Sequence, residues 1–227
     1  MRAAAIIGTL LLAPWLVASE LEAARDMQDA AKLEALIAPL ADAAARSTND
    51  APAQYRLALA RSYLAEVAME LRDKTRAKVA AEAGIQAAER AVALAGNVAE
   101  HHRILGTLCG QVIPANVLFG LKYGRCATDS VNKAIELDPK SSSAYLSRAV
   151  GNYYLPEGLG GGAQLALRDC QKAIELNPKS AEAHLWLGIM LRKLNRNEEA
   201  RTAIRRSLEL NPRRVWAKQQ LEKTPTK

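Results

Sequence analysis

The side chains best equipped for chemistry here are three histidines (His101, His102, His184), three cysteines (Cys109, Cys126, Cys170) and a glycine run, Gly158-Leu-Gly-Gly-Gly162. A nucleophile needs a base within hydrogen-bond reach, and a metal needs ligands at short, regular spacing. Neither pattern is present. The cysteines are odd in number with no close pair, and no Ser, His and Asp set or apolar pair of carboxylates accompanies the histidines. The glycine run follows helical rather than strand sequence, lacks the Gly-Lys-Ser/Thr ending of a phosphate loop, and has no acidic residue placed for a ribose. Its glycines suit a tight turn with positive φ before a helix starting near Ala163. The expectation is a chain without catalytic residues, metal or cofactor. Free buried cysteines are the expected state, and if a pair closes it is Cys109 with Cys126.

The elements that would carry these residues announce themselves by repetition. Ala134-Ile-Glu-Leu-Asp-Pro139 returns as Ala173-Ile-Glu-Leu-Asn-Pro178 and as Ser207-Leu-Glu-Leu-Asn-Pro212. A phrase recurring every few tens of residues marks an array in which each unit buries its apolar face only against its neighbours. Ala, Leu, Lys, Arg and Glu dominate, aromatics make up 4% of the chain, and no β-branched alternation reads as a strand. The fold class is all-α.

The last unit has the clearest register. Ser180 caps a helix carrying His184, Leu187, Gly188 and Leu191; Asn197 caps a second carrying Ala200, Ile204 and Leu208; Asn211-Pro212 closes the unit. Pro178 to Pro212 is 34 residues. That period, with Leu-Gly in the first helix, Ala early in the second and a closing Pro, resembles the tetratricopeptide repeat (TPR) family. The match is good but interrupted over 142–178, weaker over 99–139 and suggestive over 52–96. The resemblance implies a right-handed α-solenoid of four hairpins (about 52–96, 99–139, 142–178 and 181–212). A capping half repeat at 20–50 and a capping helix and tail at 213–227 complete it.

Close packing explains the pattern. Gly188 opposite Ala200, Ala149 opposite Ala166 and Gly106 opposite Ala127 let paired helices approach. These pairs are 12, 17 and 21 residues apart, and a first pair, Leu59 with Gly84, is 25 apart. Residues therefore accumulate at the turn inside each hairpin, and the earlier hairpins are predicted to have progressively longer helices. The inserts bring Val117, Leu118 and Phe119 of the second hairpin toward Tyr153, Tyr154 and Leu155 of the third. The favoured expectation is that they bury against one another. If part of this edge stays open, it is a docking surface.

In TPR proteins the first helices of the hairpins line a concave groove, and the resemblance implies the same here. Projected onto this sequence, the groove carries Arg56, Tyr63, Arg103, Thr107, Leu146, Val150, Tyr153, Leu185, Ile189, Arg192 and Lys193. Arg56 and Arg103 are expected to stack as a basic pair that takes an acidic or C-terminal segment of a partner, although no Lys and Asn set matches the family's carboxylate clamp. His102 and His184 occupy one repeat position, filled by Tyr55 and Tyr145 in the other units. Such a slot reads as an interhelical packing site.

Met1-Arg2, the apolar run Ala3–Ala18 and the small residues Val17-Ala18-Ser19 read as a secretory leader cut near Ala18 or Ser19, the run being short for a spanning helix. Leu21–Arg46 reads as one helix with a stripe of Leu33, Leu36, Ile37 and Leu40, kinked at Pro39. From Ala181 onward eleven basic residues face five acidic ones, most of the net +7. Such an end attracts anionic surfaces. Export and scarce aromatics argue against nucleic acid. The expected function is a noncatalytic protein-interaction scaffold of the periplasm or cell envelope, binding a peptide or helix. The alternative is a peripheral adaptor whose basic C-terminal repeat contacts an anionic envelope surface.

Overall fold

The computed structural model describes residues 14–116 and 118–226. Residues 1–13, which carry most of the expected leader, and Val117 of the insert edge lie outside the described residues. Among the described residues the elements are helical throughout. They run α1 (Pro14–Asp26), α2 (Ala30–Arg46), α3 (Ala51–Glu70), α4 (Lys74–Leu94), α5 (Ala99–Val112), α6 (Phe119–Leu137), α7 (Ser142–Tyr154), α8 (Ala163–Leu176), α9 (Ala181–Lys193), α10 (Asn197–Leu210) and α11 (Val215–Glu222). Two short 3₁₀ turns fall in the second and third hairpins. None of the described helices is long and apolar enough to cross a membrane.

Helices α3/α4, α5/α6, α7/α8 and α9/α10 pair as hairpins that stack in chain order, with α3, α5, α7 and α9 forming the inner row. Local chemistry sets the helix starts. Asp29, Asp50, Asp73, Ser141 and Ser180 each accept a hydrogen bond from a backbone N–H in the first turn of the helix they cap. Asn197 is the first residue of α10 rather than its cap. Small residues set the helix separation. A Cβ built on Gly188 would meet Ile204 at 2.4 Å and the Ala200 carbonyl at 2.8 Å, so only glycine permits that approach. Ala149 and Ala166 are both fully buried in one cluster with Met190 and Cys170. The first hairpins share a larger core built on Ala58, Leu64, Val67, Ala81, Leu108 and Val112.

Three expectations are corrected. Leu21–Arg46 is two helices, not one: Met27–Asp29 form a turn with Gln28 at φ 55, and α2 continues through Pro39. Helix length does not grow evenly toward the N-terminus, because the inserts fold in different ways. The first is helical apart from the turn at 71–73, giving α3 and α4 of 20 and 21 residues, and the second lengthens α6 to 19. The third is a loop that leaves α7 and α8 at 13 and 14 residues, close to α9 and α10. Gly160 and Gly162 supply positive φ in that loop, which returns by the Gly162 N–H donating to the Asn152 carbonyl (2.8 Å). Cys109 and Cys126 are joined in a disulfide between α5 and α6, contrary to the free state expected, while Cys170 stays free and buried.

Candidate functional site

The inner row divides into two stretches of different chemistry. Along α3, α5 and α7 the side chains pair within α5 and across repeats. Arg103 donates Nε to Glu100 Oε2 (2.7 Å), the Tyr55 hydroxyl donates to Glu100 Oε1 (2.9 Å), and the Thr107 hydroxyl donates to Ser147 Oγ (3.1 Å). Burial opposes ionisation of Glu100, yet Arg103 prevails and its carboxyl is held below the usual range. Arg56 stands 4.0 Å from Asp50. The free basic pair expected at Arg56 and Arg103 is therefore not presented, because each guanidinium already faces a carboxylate.

The second stretch lies where α3 faces α9, and charge is concentrated there. Arg214, just ahead of α11, is fully buried. Its guanidinium donates to Glu66 Oε1 (2.7 Å) and Glu70 Oε2 (3.1 Å) on α3 and to Glu182 Oε1 (2.8 Å) on α9, with Asp26 of α1 at 3.9 Å. One side chain thus bridges the inner helices of the first and fourth hairpins. Helix α1 enters the same space. The Arg25 guanidinium lies 5.1 Å over the Tyr63 ring and 3.7 Å from Glu182, and the Asn211 amide donates to Asp26 (2.7 Å). Gln28 donates to Glu70 (2.8 Å), and Gln219 donates back to Gln28 (3.0 Å). Burial pushes Glu66 up to about 7 against the pull of Arg214 and Arg25, and it raises Glu70 as well. Glu182 goes the other way, since the two guanidiniums outweigh its burial.

The projected groove residues end up in several places. Tyr63 is covered by Arg25, whereas Leu146 and Val150 are half-buried on α7. Leu185 and Ile189 are buried with Ile204 and Ala217 in the core beneath α11, so they do not line an open groove. Arg192 donates to the carbonyl and side chain of Gln220 and to Thr224, and Lys193 donates to the Tyr153 carbonyl (2.8 Å). Tyr153, Tyr154, Trp186 and Trp216 form an edge-to-face ladder at this end.

Among the described residues, the aromatic rings of the two inserts pair with other neighbours rather than with one another. Phe119 turns toward α4, edge-on to Tyr123 and under Lys78, whereas Tyr153 and Tyr154 turn toward Trp186 on α9. Leu155 is half-buried, while Leu118 is 64% and Tyr154 is 54% exposed. The His slot also differs from its reading. His102 Nε2 reaches the Gly96 carbonyl (2.8 Å) and His184 Nε2 the Pro178 carbonyl (3.0 Å), each six residues back. The two histidines thus close the turn between repeats, whereas Tyr55 in the same slot packs from α3 onto His101 and Glu100 of α5. Among the described residues, no group of His, Cys, Asp or Glu is placed to hold a metal ion.

Sequence reasoning missed Arg25, Glu66, Glu70, Glu182 and Arg214. A signal was available for two of them: Glu66 and Glu70 continue the α3 stripe of Arg56 and Tyr63 at helical spacing. Arg214 counts, in sequence alone, only as one more charge of the basic C-terminal end.

These stacked hairpins form an all-α superhelix. Residues 170–202 match the model of the tetratricopeptide repeat, and the stacked hairpins have the solenoid fold of proteins built from that repeat. Among solved structures, the thermophilic TPR protein TTC0263 of Thermus thermophilus aligns over 91% of this chain and 99% of its own, at 17% identity and a TM-score of 0.62. The HusA haemophore from Porphyromonas gingivalis aligns over 82% and 96% at 19% identity, with a TM-score of 0.63. Both are likenesses of fold. The first TPR of Spaghetti (RPAP3), bound to the HSP90 peptide SRMEEVD, is 28% identical over 48% of this chain and 84% of its own. Its TM-score is 0.41. No curated protein sequence matches the chain.

Proposed function

We propose that this protein is a noncatalytic interaction scaffold of the periplasm or cell envelope that docks a peptide or helix of another protein on its inner row. The observation that carries this reading is the cross-repeat ladder from Tyr55 through Glu100 and Arg103 to Ser147, which fixes inner-row side chains before any partner arrives. A wall ordered in advance lowers the entropy cost of binding. The leader-like start supports export, and the Cys109–Cys126 disulfide fits an oxidising compartment. The test is crosslinking with mass spectrometry in the native envelope, comparing the wild type with Val150→Glu. Partner crosslinks on α5 and α7 that are lost in a folded Val150→Glu chain support the reading. Crosslinks confined to the outer helices would sink it.

A second reading, a peripheral adaptor on an anionic surface, rests on Arg205, Arg213, Lys218 and Lys223, which are exposed. It is the weaker one, since Arg192, Arg196, Arg201, Arg206 and Arg214 are spent on partners within the chain. Salt-sensitive sedimentation with anionic vesicles, lost when those four residues become Glu, would favour it.

A further inference from the structure

Where α3 faces α9 the sign of charge is opposite to that of the molecule. The chain carries a net +7, yet Asp26, Glu66, Glu70 and Glu182 surround only two guanidiniums, Arg25 and Arg214, where α3 faces α9. Helix α1 shows what this wall accepts. Leu21 and Ala24 are buried against the first-hairpin core, and Arg25, one turn after Leu21, lies over Tyr63 beside Glu182. The helix is joined to α2 by a turn of three residues, Met27–Asp29, with Gln28 in the left-handed region that a side chain rarely adopts.

We propose that the α3/α9 wall is a helix-binding site whose resident occupant is the protein's own segment 19–26. Its external partner is then a helix bearing an apolar residue and, four places on, an arginine. This deepens the scaffold reading above and rests on it: the partner's contact residue is basic, not acidic, and the partner gains access by displacing α1. Charge complementarity selects the occupant, because a helix with a carboxylate at the Arg25 position would meet Glu182 and Glu66 with only the Arg214 guanidinium, already shared with Glu70, to offset them.

The test uses the full chain and a fluorescein-labelled peptide of residues 19–29 in an anisotropy titration. Arg25→Glu loosens the resident helix, so the peptide should bind that variant at least tenfold more tightly than it binds the wild type. Adding Glu66→Gln and Glu70→Gln should weaken binding tenfold or more, and the peptide with Arg25→Glu should not bind. A folded Arg25→Glu chain that ignores the peptide, or binds both peptides alike, overturns the proposal. So does a stable wild-type dimer that has exchanged α1, since the site would then belong to a second copy. Should Arg25→Glu fail to fold, hydrogen exchange on the wild type decides. Amides of 19–26 at least tenfold less protected than those of α5 support a displaceable helix, and equal protection makes α1 a fixed part of the core. Peptide failure alone leaves the scaffold reading standing, because that reading fails only on the envelope crosslinks.

Discussion

Arg103, on the inner row, and Arg214, which reaches that row from the start of α11, are the same residue type, and they show how differently a repeat wall can use one guanidinium. Arg103 forks onto Glu100, a carboxylate one turn away whose side chain is 37% exposed. Arg214 is sealed from solvent among carboxylates that arrive from helices far apart in sequence. The first pair tunes a surface that water still reaches. The second joins the first and fourth hairpins, and its environment, more than its charge, decides what it is worth.

The largest expected effect breaks this contrast outright. Arg214→Ala leaves Glu66, Glu70 and Glu182 facing one another with only Arg25, and should lower stability by about 3–5 kcal/mol in chemical denaturation. A loss below about 1 kcal/mol would mean that water already solvates the cluster. Next comes the staple behind the α5 and α7 stretch. Reducing Cys109–Cys126, which closes a loop of 17 residues, should cost about 3 kcal/mol by the same measurement with and without reductant.

The acidic cluster then gives a signature in pH. A carboxyl whose folded pKa is raised disfavours folding as it ionises, so between 4.5 and about 7 Glu66 should make the protein less stable as pH rises. The decline should be about 2 kcal/mol and should flatten in Glu66→Gln. Glu100, held down by Arg103, loses its contribution only below the ordinary carboxylate range and leaves that window untouched. The smallest effect is Arg103→Ala, at about 1 kcal/mol, because water can take over solvation of Glu100. A loss as large as that of Arg214→Ala would erase the distinction between the two stretches.

The hairpins were legible because their determinants are local. Ser180, Gly188, Ala200 and the Asn-Pro closure act within a few turns of each other, and periodicity reports such neighbours well. The α1–α2 break was not legible, because Gln28 sits in its left-handed turn with its side chain on Glu70 and Gln219, residues distant in the chain. Arg214 was missed for the same reason: a charge counted from sequence has no address until the superhelix brings α3 beside α9. Leu185 and Ile189 project onto the groove by the repeat register, but the capping helix expected at 213–227 packs, as α11, over that same position. The inserts were misjudged because the third carries three consecutive glycines and a proline, which favour a loop over longer helices.

Solenoids usually melt from their ends, since each unit leans only on its neighbours. Here residue 214 holds residues 66 and 70, so the last unit cannot fray without disturbing the first. Held at its two termini and pulled, such a molecule should give way in one concerted rupture rather than a staircase, and it should refold slowly because its founding contact spans so much chain.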